Sequence, residues 1–263
     1  MLASDPGVRL GDDPEEVHHL RVAVRRLRAV LGTARPVLDT AWVDELRSEL
    51  SWLADELGPA RDFDVLIPSL RAEAVTLGAG DRKALGPLFG NFDEARAAAY
   101  VRADEALRSE RYHALLAAIE AAAAGPLPDG KRSLAKAVRK EYKRLRKAMR
   151  KVDDSPTNES IHRARIKGKR ARYATELLES DLGTGSERLI EAAKRFQDVA
   201  GEHQDAVVAE AQIQAQLRGL RSQSTALAAG LLVSRQRERR RVAAAKLPKV
   251  WKRFDRAAEA VFT

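Results

Sequence analysis

Residues 18–28 read His18-His19-Leu20-Arg21-Val22-Ala23-Val24-Arg25-Arg26-Leu27-Arg28, and residues 162–172 read His162-Arg163-Ala164-Arg165-Ile166-Lys167-Gly168-Lys169-Arg170-Ala171-Arg172. Both follow H-x-x-R-[VI]-x-x-[RK]-R-x-R, at an offset of 144. A second pair follows in the same order at an offset of 143, Leu57-Gly58-Pro59-Ala60-Arg61-Asp62 matching Ala200-Gly201-Glu202-His203-Gln204-Asp205. Two ordered motifs at nearly one offset indicate an internal repeat. Its period is far longer than that of a solenoid, so the expectation is two similar helical bundles packed as a pseudo-symmetric pair.

On a helix, at about 100° per residue, His18, Arg21, Arg25 and Arg28 fall in an arc of roughly 80°. Leu20, Val24, Leu27 and Leu31 form the adjacent apolar stripe. The second copy places His162, Arg165, Lys169 and Arg172 at the same angles, beside Ala164, Gly168, Ala171 and Thr175. Those small residues predict close approach of a neighbouring helix. Residues 131–152 are more one-sided. Arg139, Lys140, Lys143, Lys147 and Arg150 all lie within about 60° of Lys136. Leu134, Val138, Tyr142, Leu145, Met149 and Val152 take the opposite side, and Glu141 is the one acid in the segment. A solvated surface helix intersperses Glu among its Lys and Arg; this one does not, and such like charges repel unless an anion screens them. Arg235, Arg237, Arg239, Arg240 and Arg241 surround their helix on all sides, which fits a division between ligand-facing and surface roles.

The charge is correspondingly local. The chain has 263 residues, 47 Lys+Arg and 38 Asp+Glu, a net of +9. Residues 1–130 carry 15 basic and 22 acidic groups, whereas 131–172 alone carry 17 and 4. A local excess of this kind marks an anion-binding surface. The length suffices for a sizeable core. No Cys is present, which excludes disulfides, Cys-ligated metals and a thiol nucleophile. Apolar runs such as 114–119 and 226–233 are too short to span a bilayer. The first residues lack a basic n-region and an apolar h-region, so a cytoplasmic protein is expected.

Almost every segment reads as helix: apolar residues recur at three- and four-residue steps, and no alternating strand pattern survives. Asp13-Pro14-Glu15-Glu16 is a helix start. With Gly and Pro as punctuation, the sequence predicts helices over 14–32, 41–57, 62–77, 81–90, 92–123, 131–152, 157–180, 186–200, 203–219 and 222–262, the last breaking near Pro248. Residues 125–130 are the candidate linker between the halves 1–130 and 131–263.

The paired H-x-x-R-[VI]-x-x-[RK]-R-x-R and G-x-x-[RQ]-D motifs, with an Arg-rich C-terminal helix leading to Leu247-Pro248-Lys249-Val250-Trp251-Lys252-Arg253-Phe254, resemble the CHAD family, the conserved histidine α-helical domain, over about residues 8–257. The resemblance implies an all-α fold of two four-helix bundles related by a pseudo-twofold, forming one domain with a central basic groove. It also implies binding of inorganic polyphosphate and association with polyphosphate granules. The family often occurs fused to a triphosphate-tunnel domain, but no two Glu here are separated by one residue. That domain's E-x-E-x-K signature is therefore missing, and a stand-alone member is expected.

The chemistry of the residues agrees with that ligand. Polyphosphate presents charge without bases, so its receptor needs many Arg and Lys and few aromatics; aromatics make up 5% of this chain. The residues assigned to polyphosphate are His18, Arg21, Arg25, Arg26, Arg28, Lys136, Arg139, Lys140, Lys143, Arg146, Lys147, His162, Arg165, Lys169, Arg170, Arg172, Arg235 and Arg239. His18 and His162 sit among Arg residues that repel a cation, which favours donation to phosphate over metal ligation; no metal or cofactor is expected. Asp62, Asp64, Asp198 and Asp205 raise the alternative of a metal-dependent polyphosphate hydrolase. No His-Asp dipeptide supports it, and Asp62 and Asp205 are better read as N-caps or as partners of the Arg rows. Nucleotide and nucleophile motifs are absent. The expectation is a non-catalytic polyphosphate binder, with a nucleic-acid binder as the main rival and no membrane partner.

Overall fold

The computed structural model describes residues 14–123, 131–177 and 185–262. All regular structure among them is helical: α1 (Pro14–Ala34), a 3₁₀ turn (Arg35–Val37), α2 (Thr40–Val75), α3 (Ala79–Ala84), α4 (Gly86–Arg108), α5 (Glu110–Ala123), α6 (Lys131–Asp154), α7 (Asn158–Leu177), α8 (Gly185–Gln216) and α9 (Gln223–Phe262). The all-α class read from the sequence is therefore observed. Asp13 and the candidate linker 125–130 lie outside the described residues.

Several boundaries differ from the sequence expectation. Pro59 and Pro68 lie inside α2, which continues from Thr40 to Val75. The predicted helices 186–200 and 203–219 are likewise one helix running through Gly201, and α9 passes Pro248 without ending. Asp62 and Asp205 therefore stand in mid-helix and cap nothing. Conversely, the predicted helix 92–123 breaks at Ser109, whose extended backbone separates α4 from α5. The Ser109 hydroxyl accepts from the Tyr112 amide at 3.2 Å, an N-cap for α5. The predicted helix 81–90 is instead divided at Leu85, Gly86-Pro87 opening α4 with proline in its first turn, and α4 runs without a break through the expected boundary at 91.

The chain forms two compact units. The first comprises 1–32, 38–128 and 213–232; the second comprises 33–37, 129–212 and 233–263. The end of α8 and the start of α9 belong to the first unit. Within that unit Asn91 Nδ2 donates to the Gln216 carbonyl at 2.8 Å and Thr225 Oγ1 to the Ala84 carbonyl at 2.7 Å.

Each core draws on four helices. The first is built of leucines: Leu20, Val24 and Leu31 of α1 meet Leu46, Leu50, Leu53 and Leu57 of α2, with Leu107 of α4 and Tyr112 and Leu115 of α5. The second partitions volume differently. Small residues on α7 (Ala164, Gly168, Ala171) face a cluster of rings, Tyr142, Phe196, Trp251 and Phe254. Phe196 lies 6.0 Å from Trp251 and 5.7 Å from Phe254, centroid to centroid. Despite these different side chains, the sequence of buried, half-buried and exposed positions over 17–26 recurs without change over 161–170. The repeat thus extends from motif to local packing.

One polar network ties α6 to α9 inside the second unit. The Tyr142 hydroxyl donates to the Asp255 carboxylate, which also pairs with Arg146 Nε at 3.2 Å. Burial, aided by that carboxylate, pushes the phenol well above its ordinary value. Tyr142→Phe is expected to lower stability by about 1.5–3 kcal/mol, the usual worth of a hydrogen bond to a charged group, seen as a lower urea midpoint.

Candidate functional site

The basic faces are best built up helix by helix. On α6, Val138, Tyr142, Leu145, Met149 and Val152 are buried, which turns the other side outward. Lys136, Arg139, Lys140, Lys143, Lys147 and Arg150 are all exposed there. Among the described residues none of the six has an ion-pair or hydrogen-bond partner. The cations next to them behave differently. Arg144 pairs with the buried Glu141, and Arg146 pairs with Asp255 and with Glu259 at 2.5 Å. Arg146, assigned to ligand from the sequence, is thus held by two carboxylates of α9. Arg150, left out of that assignment, belongs to the row on the same helical angle.

On α7, Ile161, Ala164, Gly168 and Ala171 are buried, and His162, Arg165, Lys169 and Arg172 are half-buried beside them while Arg170 is exposed. His162 Nδ1 lies 2.6 Å from Gln204 Oε1 of α8. The amide carbonyl accepts the Nδ1 proton and fixes the ring's orientation. The [RQ] position of the G-x-x-[RQ]-D motif therefore has a positioning role that the sequence left unassigned. Arg172 lies 3.4 Å from Glu176 and 4.8 Å from the Tyr173 ring centroid.

On α1, His18, Arg21, Arg25 and Arg28 are half-buried and Arg26 is exposed. Arg21 Nη2 pairs with Asp62 Oδ1 of α2 at 3.2 Å. The partner role for Asp62 is thus observed in place of the N-cap. Arg21 Nη1 is buried without a partner, lying 3.0 Å from where a Cβ on Gly58 would sit. The motif glycine leaves room for this guanidinium. Burial pulls Arg21 below its ordinary value; Asp62 opposes the shift, and Arg25 and Arg61 add to it.

The α9 arginines divide. Arg237 and Arg240 both bind Glu210, at 2.8 and 3.2 Å, and Arg241 binds Glu238 at 2.6 Å. Arg239 donates to the buried Gln236 at 3.0 Å, and Arg235 is half-buried.

Asp64, raised from the sequence as an alternative metal ligand, is accounted for by packing. It is nearly buried and accepts from Arg96 Nε and the Tyr100 hydroxyl, each at 2.7 Å. Tyr100 is pushed up to about 12 by burial and by Asp64. Asp198 is exposed. His203 is buried with Nδ1 unpaired; burial first, then Arg240, lowers its value below that of a free histidine. It is therefore neutral in the fold, and its contribution to stability is complete above pH ~6.5 and is lost as pH falls through the depressed value. Urea unfolding across pH 7 to 5 checks this: the midpoint should fall less steeply in His203→Leu than in the wild type.

The described residues thus define an all-α protein in which α6 carries a row of exposed cations along one side. The family description "CHAD domain" matches residues 1–214, and this chain belongs to that family. The uncharacterized protein Rv2226 of Mycobacterium tuberculosis is 32% identical over 228 residues, 79% of this chain and 41% of that protein. The uncharacterized protein MT2285 of the same species is 31% identical over the same extents. The chain thus spans well under half the length of these relatives. Among solved structures, PptA from Streptomyces chartreusis has the same fold, with a TM-score of 0.75 at 24% identity over 95% of each chain. That likeness takes in more of the chain than the family match, which ends at residue 214. Family membership is consistent with a polyphosphate-related function. No helix among the described residues is long and apolar enough to cross a membrane.

Proposed function

We propose that this protein binds inorganic polyphosphate without chemically altering it, through the cationic faces of α1, α6 and α7. The observation that carries this reading is the α6 face, where six exposed Lys and Arg residues stand along one side with no carboxylate partner among the described residues. Like charges at these spacings destabilise a helix, so the row is a liability unless an anion fills it. A phosphate chain supplies closely spaced charge along its whole length, and Arg and Lys answer it as forks and point charges. On α7, His162, oriented by Gln204, is placed to give a phosphate a directed hydrogen bond. Retention on polyphosphate granules in the cytoplasm follows from the same reading.

Nucleic acid is the rival polyanion. Single strands are held by stacking on exposed aromatics, and here Tyr112, Tyr142, Phe92, Phe196, Trp251 and Phe254 are buried. For a hydrolase, Asp62 and Asp64 would have to be available, yet they are engaged by Arg21 and by Arg96 and Tyr100. Competition separates these readings. Long-chain polyphosphate should displace single-stranded and duplex nucleic acid at equal phosphate and fixed salt, and no orthophosphate should appear with Mg²⁺ or Mn²⁺. Displacement in the opposite direction would move the ligand class to nucleic acid. Metal-dependent phosphate release abolished by Asp62→Asn or Asp205→Asn would make the protein an enzyme.

A further inference from the structure

A second basic feature lies off the rows just described. Between α6 and α7, inside the second unit, is a cleft of about 470 Å³. Its lining carries the cations Arg144, Lys147, Lys151, Arg163 and Lys167, the acid Glu159, and the apolar Ala148 and Ile166, which we take as its floor. Lys147 also belongs to the α6 row; the other four do not. Arg163 and Lys167 lie about 100–140° around α7 from His162, away from the His162–Arg172 face.

The two arginines are already engaged, Arg144 with Glu141 and Arg163 with Glu159. Lys147, Lys151 and Lys167 have no ion-pair partner among the described residues. Burial lowers Lys167 from the ordinary lysine value, Arg170 and Arg144 reinforcing the shift against Glu141. The nearby hydroxyls are engaged at the start of α7: Thr157 Oγ1 accepts from the Ser160 amide at 3.1 Å, and Ser160 Oγ donates to the Ser155 carbonyl at 2.9 Å. What the cleft offers a ligand is therefore three ammonium groups with no ion-pair partner among the described residues, beside apolar Ala148 and Ile166, with Glu159 and Glu141 committed to the flanking Arg163 and Arg144.

That combination differs from the α6 row in its apolar component and its volume. The volume falls in the range of sites for small organic ligands, about 300–1,000 Å³. A bare phosphate chain gains nothing from Ala148 and Ile166, whereas a flat uncharged ring buries them and stacks against guanidinium planes. We propose that the α6–α7 cleft binds a phosphorylated small molecule carrying an uncharged ring, of the nucleotide class. The lysines take its phosphates, and the floor with the aliphatic stems takes its ring.

The cleft shares Lys147 with the α6 row and is otherwise built of other residues, and its test is arranged to keep the two apart. Calorimetric titrations of ATP, adenosine and tripolyphosphate are made on the full chain, alone and saturated with long-chain polyphosphate. ATP is expected to bind one site, more tightly than tripolyphosphate, and to do so with polyphosphate present. Lys151→Gln/Lys167→Met should weaken ATP roughly tenfold by removing two charged contacts, while leaving polyphosphate affinity within about twofold. Lys151→Gln alone, at an exposed position, should show part of the loss and secures the result should the double variant fold poorly. Equal affinity for ATP and tripolyphosphate, no ATP binding, or unchanged ATP affinity in both variants would overturn the proposal. Failure of polyphosphate to bind, with the ATP pattern intact, would overturn the reading of the rows and leave the cleft standing.

Discussion

The variant Lys140→Ala/Lys143→Ala/Arg165→Ala/Lys169→Ala is expected to bind long-chain polyphosphate roughly a hundredfold more weakly than the wild type at moderate salt, because four phosphate-neutralising charges are removed. Two further signatures distinguish a lost contact from a damaged fold. The slope of log affinity against log salt should become shallower by roughly one for each cation that had engaged a phosphate. Lys140 and Lys143 are exposed, unpartnered and surrounded by like charge. The Lys140→Ala/Lys143→Ala double variant should therefore keep or raise the wild-type melting temperature, since alanine relieves repulsion and favours helix. Weaker binding together with a lower melting temperature in that double variant would show that the row stabilises the fold rather than awaiting an anion.

The second large effect concerns the core that carries the α7 row. A Cβ placed on Gly168 would lie 2.6 Å from Cε1 of Phe196, so Gly168→Val drives a branched side chain into a ring with nowhere to go. We expect a loss of about 3 kcal/mol, at the upper end for overpacking, read from urea denaturation. The repeat supplies the remedy. The positions of Gly168 and Phe196 correspond to Val24 and Leu53, which share the first unit's core. Gly168→Val/Phe196→Leu rebuilds that pair and should recover most of the loss, giving a coupling energy of about 1–3 kcal/mol. Additive losses would mean that the two units do not solve this contact in equivalent ways.

Much of this was legible in the sequence because helix faces are. The stripe on α6, the small residues of α7 and the double H-x-x-R motif are patterns of spacing, and spacing survives folding. The helix boundaries were not so readable, and α2 shows why. Gly58-Pro59 and Pro68 looked like breaks, and a proline in a helix interior does cost about 3 kcal/mol. Yet Leu50, Leu53, Leu57, Ala60, Phe63, Ile67, Leu70 and Ala74 are buried in unbroken three- and four-residue steps across both prolines. Burying each larger member contributes about 1.5–3 kcal/mol, so the continuous stripe outweighs the local penalty. The periodicity was the better signal. Ser109 erred in the other direction: no Gly or Pro announces it, but a serine before Glu110 is a helix-start residue.

The site was legible as a set of faces but less so as a set of partners. That Arg146 is tied to Asp255 and Glu259 depends on α6 packing against the last turns of α9, more than a hundred residues away. No local pattern encodes that pairing. The same holds for Gln204, whose contact with His162 spans 42 residues. The repeated G-x-x-[RQ]-D marked the position without revealing its task. The α6–α7 cleft escaped notice because Lys151, Arg163 and Lys167 belong to no repeated motif; they converge only once α7 folds back on α6.

The measurement that bears most directly on the central claim is a crystal structure of the full chain grown with a short polyphosphate. The account predicts an intact chain of phosphates along the cationic faces, with oxygens within hydrogen-bond distance of His162, Arg165 and Lys169 and of the α6 row around Lys140 and Lys143. Phosphates bound elsewhere with these faces empty, or cleaved to orthophosphate, would contradict it.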